Sequence, residues 1–467
     1  MKRFDLVIIG GGAGAFAAAI KANELGAKTV MINDGLPLGG TCVNVGCVPS
    51  KTLLWAGEVM HLAKNHSIPG IDIEIKNFDF DKVVADELAL VEKMRQEKYE
   101  KVLSTLGHVD LIEGRAKFVS ETEIEANGER LIADKFIIAT GSTANVPPIE
   151  GIEETGYITH IEALKLEKQP KELAVIGGGA IALEFSQVFS RFGTKVTMLV
   201  RGDAVFRVGD KDLVARLLKV FEKEGITVKT NVPTKSARKE GGKKVVVYEI
   251  DGKQEEIICD EILLAAGKTA NTKDLGFEKA GLEVNERKSI VVNEIFQTKN
   301  PNVFAVGDAV ALPLRLETTA GREGTLACEN ALKDTKNKID YDSVPYTIFT
   351  DPQLAGVGLT EDEQMKRMKT CACRTVSFTN IPKASILRRT EGAISMSIHP
   401  ETTEIMGVHI LSPHAGELIA EAMMLVKNKN TIGDVINSLP MFPTLSEAIK
   451  LVALSFKKDI SKLSCCI

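Results

Sequence analysis

The sequence predicts an α/β protein in which one strand–glycine turn–helix unit occurs twice, followed by a C-terminal α+β domain. An apolar run from Phe4 to Ile9 leads into the first glycine turn, and a second run from Leu173 to Ile176 leads into the other. From about Asp340 the glycine turns give way to alternating strand patterns and helices. A buried strand running through a glycine turn into a helix is typical of Rossmann-like dinucleotide-binding domains.

The composition describes a soluble globular protein of two to four domains. Of its 467 residues, 44% are apolar and 26% are charged, and the net charge of -5 predicts neither a nucleic-acid nor an anionic-membrane partner. The sequence holds no apolar run of roughly 18 residues, so we expect no membrane insertion. Eight clustered cysteines in so long a chain indicate cytoplasmic redox or metal chemistry rather than a disulfide framework.

The first fingerprint matches G-x-G-x-x-A. Its glycines allow the tight turn and let a pyrophosphate approach the helix that follows, predicted from Phe16 to Leu25. The next strand, Lys28 to Ile32, is followed by Asp34, whose carboxylate is placed to bind a ribose hydroxyl. The alternative is a glycine-rich turn in an unrelated α/β fold. The fingerprint residues are Gly10, Gly12, Gly14 and Ala15.

The second fingerprint matches the same pattern on Gly177, Gly179 and Ala182. No ribose acid follows its next strand, and Arg201 and Arg207 stand there instead. Arginines at this place suit a 2′-phosphate and predict NADPH rather than NADH. The alternative is a pair of solvated arginines in a loop.

Later glycine turns indicate that the second domain is inserted into the first. A strand runs into Thr140-Gly141, Pro147-Pro148 marks a linker, and another strand enters the turn at Gly307-Asp308. The first domain therefore resumes after the second. The predicted boundaries are 1–147 and 270–338 for the first domain, 148–269 for the inserted domain and 339–467 for the C-terminal domain.

Cys42 and Cys47 lie in the segment Gly39–Lys51, hereafter the cysteine segment, just after the first fingerprint. A helix is predicted to follow from Thr52 to about Ala63, and its amino end favours thiolate. Two neighbouring thiols can store two electrons as a disulfide. The alternatives are buried structural cysteines or a zinc pair, although no second Cys/His pair has matching spacing.

Four other cysteines and one tyrosine are predicted from the pattern alone to have structural roles. Cys259 and Cys328 are expected to be packing residues, and Cys371-Ala372-Cys373 is expected in a strand or turn. Tyr99 lies in a long amphipathic helix predicted over 79–106, where periodicity favours a core aromatic.

The whole chain resembles the FAD-dependent pyridine nucleotide–disulfide oxidoreductases. The resemblance rests on the two fingerprints, the cysteine segment, Thr140-Gly141, Gly307-Asp308 and Pro443 to Glu447. It implies a homodimer with shared active sites, Cys47 facing the flavin, Cys42 as the exchange thiol and Lys51 paired with Glu184. It implies that FAD is bound by Gly10, Gly12, Gly14, Ala15, Asp34, Gly40, Thr41, Lys51, Thr140, Gly141 and Asp308. It implies that NADPH is bound by Gly177, Gly179, Ala182, Glu184, Arg201, Arg207 and Gly267.

One departure from the family pattern concerns the substrate. Disulfide-reducing members carry a histidine directly before Pro-Thr, with a glutamate five positions after it. The glutamate is present as Glu447, but the histidine position is Phe442, and a phenyl ring cannot transfer a proton. An organic disulfide is therefore a poor candidate substrate.

The C-terminus indicates another substrate. Leu463-Ser464-Cys465-Cys466 resembles the end of the mercuric reductases, a branch of this family, and two thiolates can transfer a soft metal ion. Tyr99 matches the tyrosine that those enzymes place beside the metal, whereas Phe442 replaces a second tyrosine of many members. The amino-terminal metal-binding domain common in that branch is not expected. The alternatives are an inert tail or a relay of electrons to an external disulfide.

These observations predict NADPH-dependent reduction of Hg(II) to Hg(0) through FAD and Cys42–Cys47. Cys465 and Cys466 of the partner subunit would deliver Hg(II), with Tyr99, Lys51, Glu184 and Glu447 assisting. The metal ligands would be the four cysteines. The alternatives are a disulfide or quinone reductase of the same fold and a protein that only sequesters metal.

Overall fold

The first glycine turn joins a strand to a helix in a computed structural model that describes residues 2–464. The strand is buried and the helix is rich in alanine, so that the two pack closely. The elements of this unit are β1 (Lys2–Ile9), α1 (Ala13–Glu24), β2 (Thr29–Asn33), α2 (Gly40–Val45), α3 (Cys47–Asn65), α4 (Phe80–Arg95), a π-helix (Gln96–Glu100), α5 (Lys101–Leu103), β3 (Val109–Glu113), β4 (Ala116–Phe118), β5 (Glu123–Ala126), β6 (Glu129–Ile138) and β7 (Ser142–Ala144).

The long helix predicted over 79–106 is interrupted. After α4 the chain forms the π-helix Gln96–Glu100 and then the short α5. A π-turn adds a residue to the helical repeat and shifts the face on which later side chains lie, and such turns are frequent at functional sites. Tyr99 lies within it.

The second unit contains a four-stranded parallel sheet and a three-stranded antiparallel sheet. The parallel sheet has the order β10-β9-β8-β14, and β15 pairs with β7 of the first unit. The elements are α6 (Ile152–Thr155), α7 (His160–Ala163), β8 (Glu172–Ile176), α8 (Ala180–Phe192), β9 (Lys195–Val200), α9 (Lys211–Lys223), β10 (Thr227–Thr230), β11 (Thr234–Glu240), β12 (Lys243–Ile250), β13 (Lys253–Cys259), β14 (Glu261–Leu264) and β15 (Lys268–Ala270).

The chain then returns to the first sheet. The next elements are α10 (Phe277–Ala280), β16 (Val303–Ala305) and α11 (Glu317–Lys333). The first sheet has the order β3-β2-β1-β6-β5-β4, and β16 pairs in parallel with β6. Helix α11 packs on α1. A strand that rejoins its sheet after a second sheet is the arrangement expected for an inserted domain, while the exact boundaries stay a prediction.

The C-terminal unit is one antiparallel sheet with helices, ordered β17-β18-β21-β20-β19. Its elements are β17 (Tyr346–Ile348), β18 (Gln353–Gly358), α12 (Glu361–Met368), β19 (Ala372–Ser377), α13 (Pro382–Leu387), β20 (Ala393–Ile398), β21 (Ile405–Ser412), α14 (Ala415–Lys427), α15 (Ile432–Ile436) and α16 (Glu447–Leu454). Helix α16 begins at Glu447, directly after a turn at residues 445–446. No helix in residues 2–464 combines the length and apolarity needed to cross a membrane.

Candidate active site

Two consecutive helices carry the cysteines of the cysteine segment. Cys42 lies on α2, and Cys47 is the first residue of α3, with Gly46 at the break between them. Both thiols are free, Cys42 partly exposed and Cys47 exposed. The unpaired backbone N–H groups at the amino end of α3 favour a thiolate at Cys47.

The cysteine segment is anchored against the first glycine turn. A Cβ on Gly40 would lie 2.6 Å from the Cα of Gly12, so α2 begins in direct contact with the fingerprint. The buried Asn44 donates through Nδ2 to the carbonyl oxygens of Pro37 at 3.0 Å, Leu38 at 3.1 Å and Gly40 at 2.8 Å. These bonds hold the two thiols beside the predicted FAD site.

The two thiols have opposite pKa shifts. Hydrogen bonding between the two sulfurs, the largest cause, lowers the pKa of Cys47 to about 7 and raises the pKa of Cys42 above its usual range. At Cys47 desolvation of the sulfur by neighbouring atoms opposes the shift, and the positive charge of Lys51 adds to it. Cys47 is therefore the more readily formed thiolate, and Cys42 is the thiol that holds its proton.

Lys51 lies one helical turn beyond Cys47 and is fixed by two other parts of the fold. Its Nζ donates to Oε2 of Glu184 on α8 at 2.8 Å and lies 4.7 Å from the centroid of the Phe349 ring. The other carboxylate oxygen of the buried Glu184 accepts the backbone N–H of Phe349 at 2.8 Å. The first, second and C-terminal units thus meet at this ion pair.

Tyr99 lies close to the thiols and also packs against the core. Its ring stands edge-on to Phe16, with ring centroids 4.9 Å apart, and contacts Gly39. Burial, followed by the charge of Cys42, raises the pKa of Tyr99 to about 12. The phenol therefore keeps its proton at neutral pH and can donate a hydrogen bond toward a thiolate.

The first glycine turn fits a dinucleotide pyrophosphate. Gly10 has a φ of +129°, and a Cβ there would overlap the carbonyl oxygen of Ala139. A Cβ on Gly12, by contrast, would meet only the Gly40 Cα, at an ordinary contact distance of 3.7 Å, and Gly12 supplies no side-chain cap to α1. The free N–H groups of α1 therefore face a space that can accept an anion. Gly14 packs on α11, and Ala15 is fully buried where α1 meets the sheet.

The later turns of the first unit lie beside the same predicted FAD site. Thr140 Oγ1 donates to the carbonyl oxygen of Asn271 at 2.7 Å, and Gly141 accepts the Asn271 N–H at 2.9 Å. Asp308 accepts a hydrogen bond from Ser142 Oγ at 2.6 Å. The fully buried Glu323 accepts the Gly307 N–H at 2.7 Å and fixes the turn that carries Asp308.

The predicted ribose acid lies one residue beyond its strand. β2 ends at Asn33, and Asp34 is exposed with no hydrogen bond to any residue between 2 and 464. The Asn33 side chain instead lies against Gly11 and donates to the Leu36 carbonyl at 3.0 Å. Asn33 therefore braces the first glycine turn, and the ribose contact of Asp34 stays a prediction.

The second glycine turn repeats the geometry of the first. A Cβ on Gly177 would overlap the Ala265 carbonyl oxygen, and nothing lies within 4 Å of a Cβ position on Gly179. Ala182 is fully buried, as helix–sheet packing requires. The open space at Gly179 and the unoccupied side of Gly267 leave room for a dinucleotide.

The two arginines are exposed at the end of β9. Arg207 forms an ion pair with Asp203 at 2.7 Å, and both side chains are mostly exposed. Arg201 has no hydrogen-bond partner among the described residues. Their guanidinium groups are therefore available to a phosphate in solution, and their proposed role in NADPH selection stays a prediction.

The segment that replaces the family histidine is exposed. Phe442 is 45% exposed, and its neighbours Leu439 and Met441 are 94% and 75% exposed. Glu447, the first residue of α16, accepts the Thr444 N–H at 3.2 Å, and burial raises its pKa. Cys465 and Cys466 lie outside the described residues.

Sequence reasoning missed three residues of this region. Glu317, the first residue of α11, raises the pKa of Cys42, Cys47 and Tyr99 through its negative charge. Asn44 and Glu323 hold the turns at Gly40 and Gly307. No spacing rule identifies any of them. The position of Asn44 between the two cysteines and that of Glu317 at the start of a helix were the signals in the sequence that could have indicated a role.

Comparisons with known proteins support this reading of the fold. The family described as pyridine nucleotide-disulphide oxidoreductase matches residues 4–333, and its dimerisation domain matches residues 344–453. The chain is 38% identical over 463 residues to a mercuric reductase of Staphylococcus aureus, covering 99% of this chain and 84% of that protein. It is 36% identical to a mercuric reductase of Streptomyces lividans, covering 99% and 98%.

Other relatives carry different names. A dihydrolipoyl dehydrogenase of Thermus scotoductus is 38% identical and is covered over 98% of both chains. The Cu(II) complex of the HOCl-induced flavoprotein disulfide reductase RclA from Escherichia coli is 25% identical, with a TM-score of 0.87 over 98% of this chain and 100% of that one. Enzymes of this family use FAD and NADPH, as the two fingerprints predict. The chain therefore belongs to the pyridine nucleotide-disulphide oxidoreductases and uses FAD and NADPH.

Proposed function

We propose that the chain reduces Hg(II) to Hg(0) with electrons from NADPH, through FAD and the Cys42–Cys47 pair. The observation that carries the proposal is Phe442, which removes the acid–base group from a site that keeps both redox cysteines. A phenyl ring cannot protonate a thiol leaving group, whereas transfer of Hg(II) between thiolates does not depend on one. The resemblance to mercuric reductases over 99% of the chain supports the same substrate.

Cys42 and Cys47 would bind Hg(II) by ligand exchange. The Cys47 thiolate attacks a complex of Hg(II) with two small thiols and displaces one of them as a thiolate. Cys42 then displaces the second, which leaves with the Cys42 proton as a neutral thiol. The metal stays bound to sulfur throughout, because soft thiolates are its preferred ligands.

The residues around the pair would set its charge during reduction. When bound, FAD carries the electron pair of NADPH to the metal side of the site. Lys51, held by Glu184, keeps a positive charge one turn from Cys47. The Tyr99 hydroxyl keeps its proton at neutral pH and would donate a hydrogen bond toward a thiolate of the pair. The balanced reaction converts NADPH and Hg(II) to NADP⁺, Hg(0) and one proton.

The C-terminal residues would act on the site of the partner subunit in a homodimer. The match to a dimerisation domain supports this arrangement, and so do the exposed apolar side chains of Leu439, Met441 and Phe442, which a partner would cover. In this arrangement Cys465 and Cys466 of the partner subunit deliver Hg(II) to Cys42 and Cys47. NADPH and small thiols coexist in the cytoplasm, where we place the enzyme.

A second candidate is reduction of a disulfide by the same pair. The acidic Cys47 and the resemblance to a dihydrolipoyl dehydrogenase favour it. It would require another group to protonate the leaving thiol in place of Phe442.

The proposal is tested by mercury release from the purified FAD-loaded protein with NADPH, Hg(II) and excess cysteine. We expect volatile Hg(0), its loss in Cys42→Ser, and full release in the control Cys259→Ser. With Cys465→Ala/Cys466→Ala, release should fall when Hg(II) is supplied on strongly binding thiols. Release that does not depend on Cys42 would overturn the proposal.

A further inference from the structure

A second cysteine pair lies in the C-terminal unit and has no role in the reaction proposed above. Cys371 and Cys373 flank the start of β19, the edge strand of the antiparallel sheet. They form a disulfide, with Cα atoms 5.9 Å apart, and both are partly exposed. An edge-strand pair near the surface is accessible to small thiols and to metal complexes, unlike the buried Cys259 and Cys328.

The strand geometry places both sulfurs on one side. Successive side chains of a strand point to opposite faces, so residues 371 and 373 share a face. Ala372, between them, packs against the core cluster of the C-terminal unit. The sulfur of Cys373 lies 3.6 Å from Oε1 of the buried Gln364, whose Nε2 donates to the Ile398 carbonyl at 2.7 Å. The amide is thereby fixed with its oxygen toward the sulfur.

A carboxylate adds a third ligand. Glu361, the first residue of α12, is exposed, and its carboxylate oxygen lies with the two sulfurs in a group whose atoms are all within 4.8 Å of one another. Once the disulfide opens, rotation of the three side chains would bring these atoms around one ion, with thiolate–metal bonds of about 2.3 Å. In residues 2–464 it is the one cluster of three potential metal-ligating side chains of this compactness.

The three ligand atoms determine which ions the opened site would prefer. Two thiolates and one carboxylate form a donor set that selects soft or borderline divalent ions over magnesium or calcium.

We propose that Cys371, Cys373 and Glu361 form a redox-gated site for a soft divalent metal ion, specifically Hg(II). Two small thiols reduce the disulfide and leave as their own disulfide, producing Cys371 and Cys373 thiols. Hg(II) carried on two small thiolates then exchanges onto these sulfurs, and the two protons leave with the displaced thiols. Oxidation by a small-molecule disulfide reverses the first step and closes the site.

The site is tested by counting bound Hg(II) without NADPH, so that the outcome does not depend on the proposed reductase activity. The full chain with FAD is reduced with a dithiol, freed of it under nitrogen and saturated with the Hg(II)–bis-cysteine complex. Bound mercury is then measured after gel filtration. We expect Cys371→Ser/Cys373→Ser to bind one equivalent less than the wild type, and the control Cys259→Ser to bind the wild-type amount.

Two further measurements make the result decisive. In Glu361→Gln the equivalent should be retained but released at a lower concentration of competing cysteine. In the wild type, saturating Hg(II) should protect the peptide containing Cys371 and Cys373 from iodoacetamide, a result that needs no variant. Equal mercury in the wild type and Cys371→Ser/Cys373→Ser, or unprotected alkylation of that peptide, would overturn the proposal.

Discussion

The charge on Cys47 depends most on its neighbour Cys42, and the substitution Cys42→Ala tests this directly. Hydrogen bonding between the two sulfurs is the largest cause that brings the pKa of Cys47 from 9.0 to about 7. Lys51 remains in the variant and retains part of the shift. We therefore expect the Cys47 pKa to rise by about one unit, since a single strong hydrogen bond to a thiolate is removed.

The direction and size of the expected change in the alkylation rate follow from the fraction of Cys47 that is thiolate. At pH 7 Cys47 is about half ionised in the wild type. In Cys42→Ala, with a pKa of about 8, it would be about one-tenth ionised. Because the thiolate is the nucleophile, alkylation of Cys47 by iodoacetamide at pH 7 should slow about fivefold.

The assay is the pH profile of Cys47 alkylation by iodoacetamide in the reduced protein, followed by fragmentation mass spectrometry. Cys259→Ala is a suitable control because Cys259 lies at the end of β13 in the second unit, where burial raises its pKa to about 11. Glu317→Gln should move the midpoint in the opposite direction, downward, since the charge of Glu317 raises the Cys47 pKa. If Cys42→Ala keeps a midpoint near 7, the helix end and Lys51 set the acidity and the reasoning fails.

Three other predictions concern single side chains. Tyr99→Phe should lower Hg(II)-dependent turnover several-fold and leave thermal unfolding unchanged, because the packing on Phe16 is kept; a matched loss of stability would point to a core role. Phe442→His should raise NADPH oxidation with a small organic disulfide at least about tenfold by restoring a proton donor, and no gain would show that other groups limit that reaction. Glu87 is fully buried, has no hydrogen-bond partner for either oxygen among the described residues, and has a pKa raised by burial to about 7. As pH rises from about 4.5 to 7, the unfolded chain loses the Glu87 proton before the folded protein does, so the free energy of unfolding of the wild type falls. Glu87→Gln should therefore raise the free energy of unfolding by about 2–3 kcal/mol at pH 8 but change it little at pH 4, as measured by chemical denaturation. An equal gain in the free energy of unfolding at both pH values would contradict the assignment of this effect to ionisation of Glu87.

The fold could be predicted from sequence because its signals are local. The strands and glycine turns at Gly10 and Gly177 have the expected geometry, since a positive φ and a close carbonyl exclude other residues there. The return of the chain to the first sheet also followed from a local pattern, the strand before Gly307. The interrupted helix around Tyr99 could not be predicted, because a π-turn has no distinctive periodicity.

Other features of the structure could not be predicted from the sequence. Glu317 influences the thiols from the start of α11, and Asn33 rather than Asp34 ends β2. The disulfide between Cys371 and Cys373 was not predicted, because a pair of cysteines two residues apart in a long chain gives no indication of pairing. The charge of Glu317 reaches the thiols through a proximity that the fold creates and that sequence spacing does not encode.

The central claim is that this site acts on Hg(II) rather than on an organic disulfide, and the oxidation of NADPH tests it most directly. The purified FAD-loaded protein is supplied with NADPH and, in parallel, with Hg(II) in excess cysteine, oxidised glutathione or lipoamide. We predict rapid NADPH oxidation that depends on Hg(II) and slow oxidation with either disulfide. Rapid oxidation with a disulfide and none with Hg(II) would contradict the account.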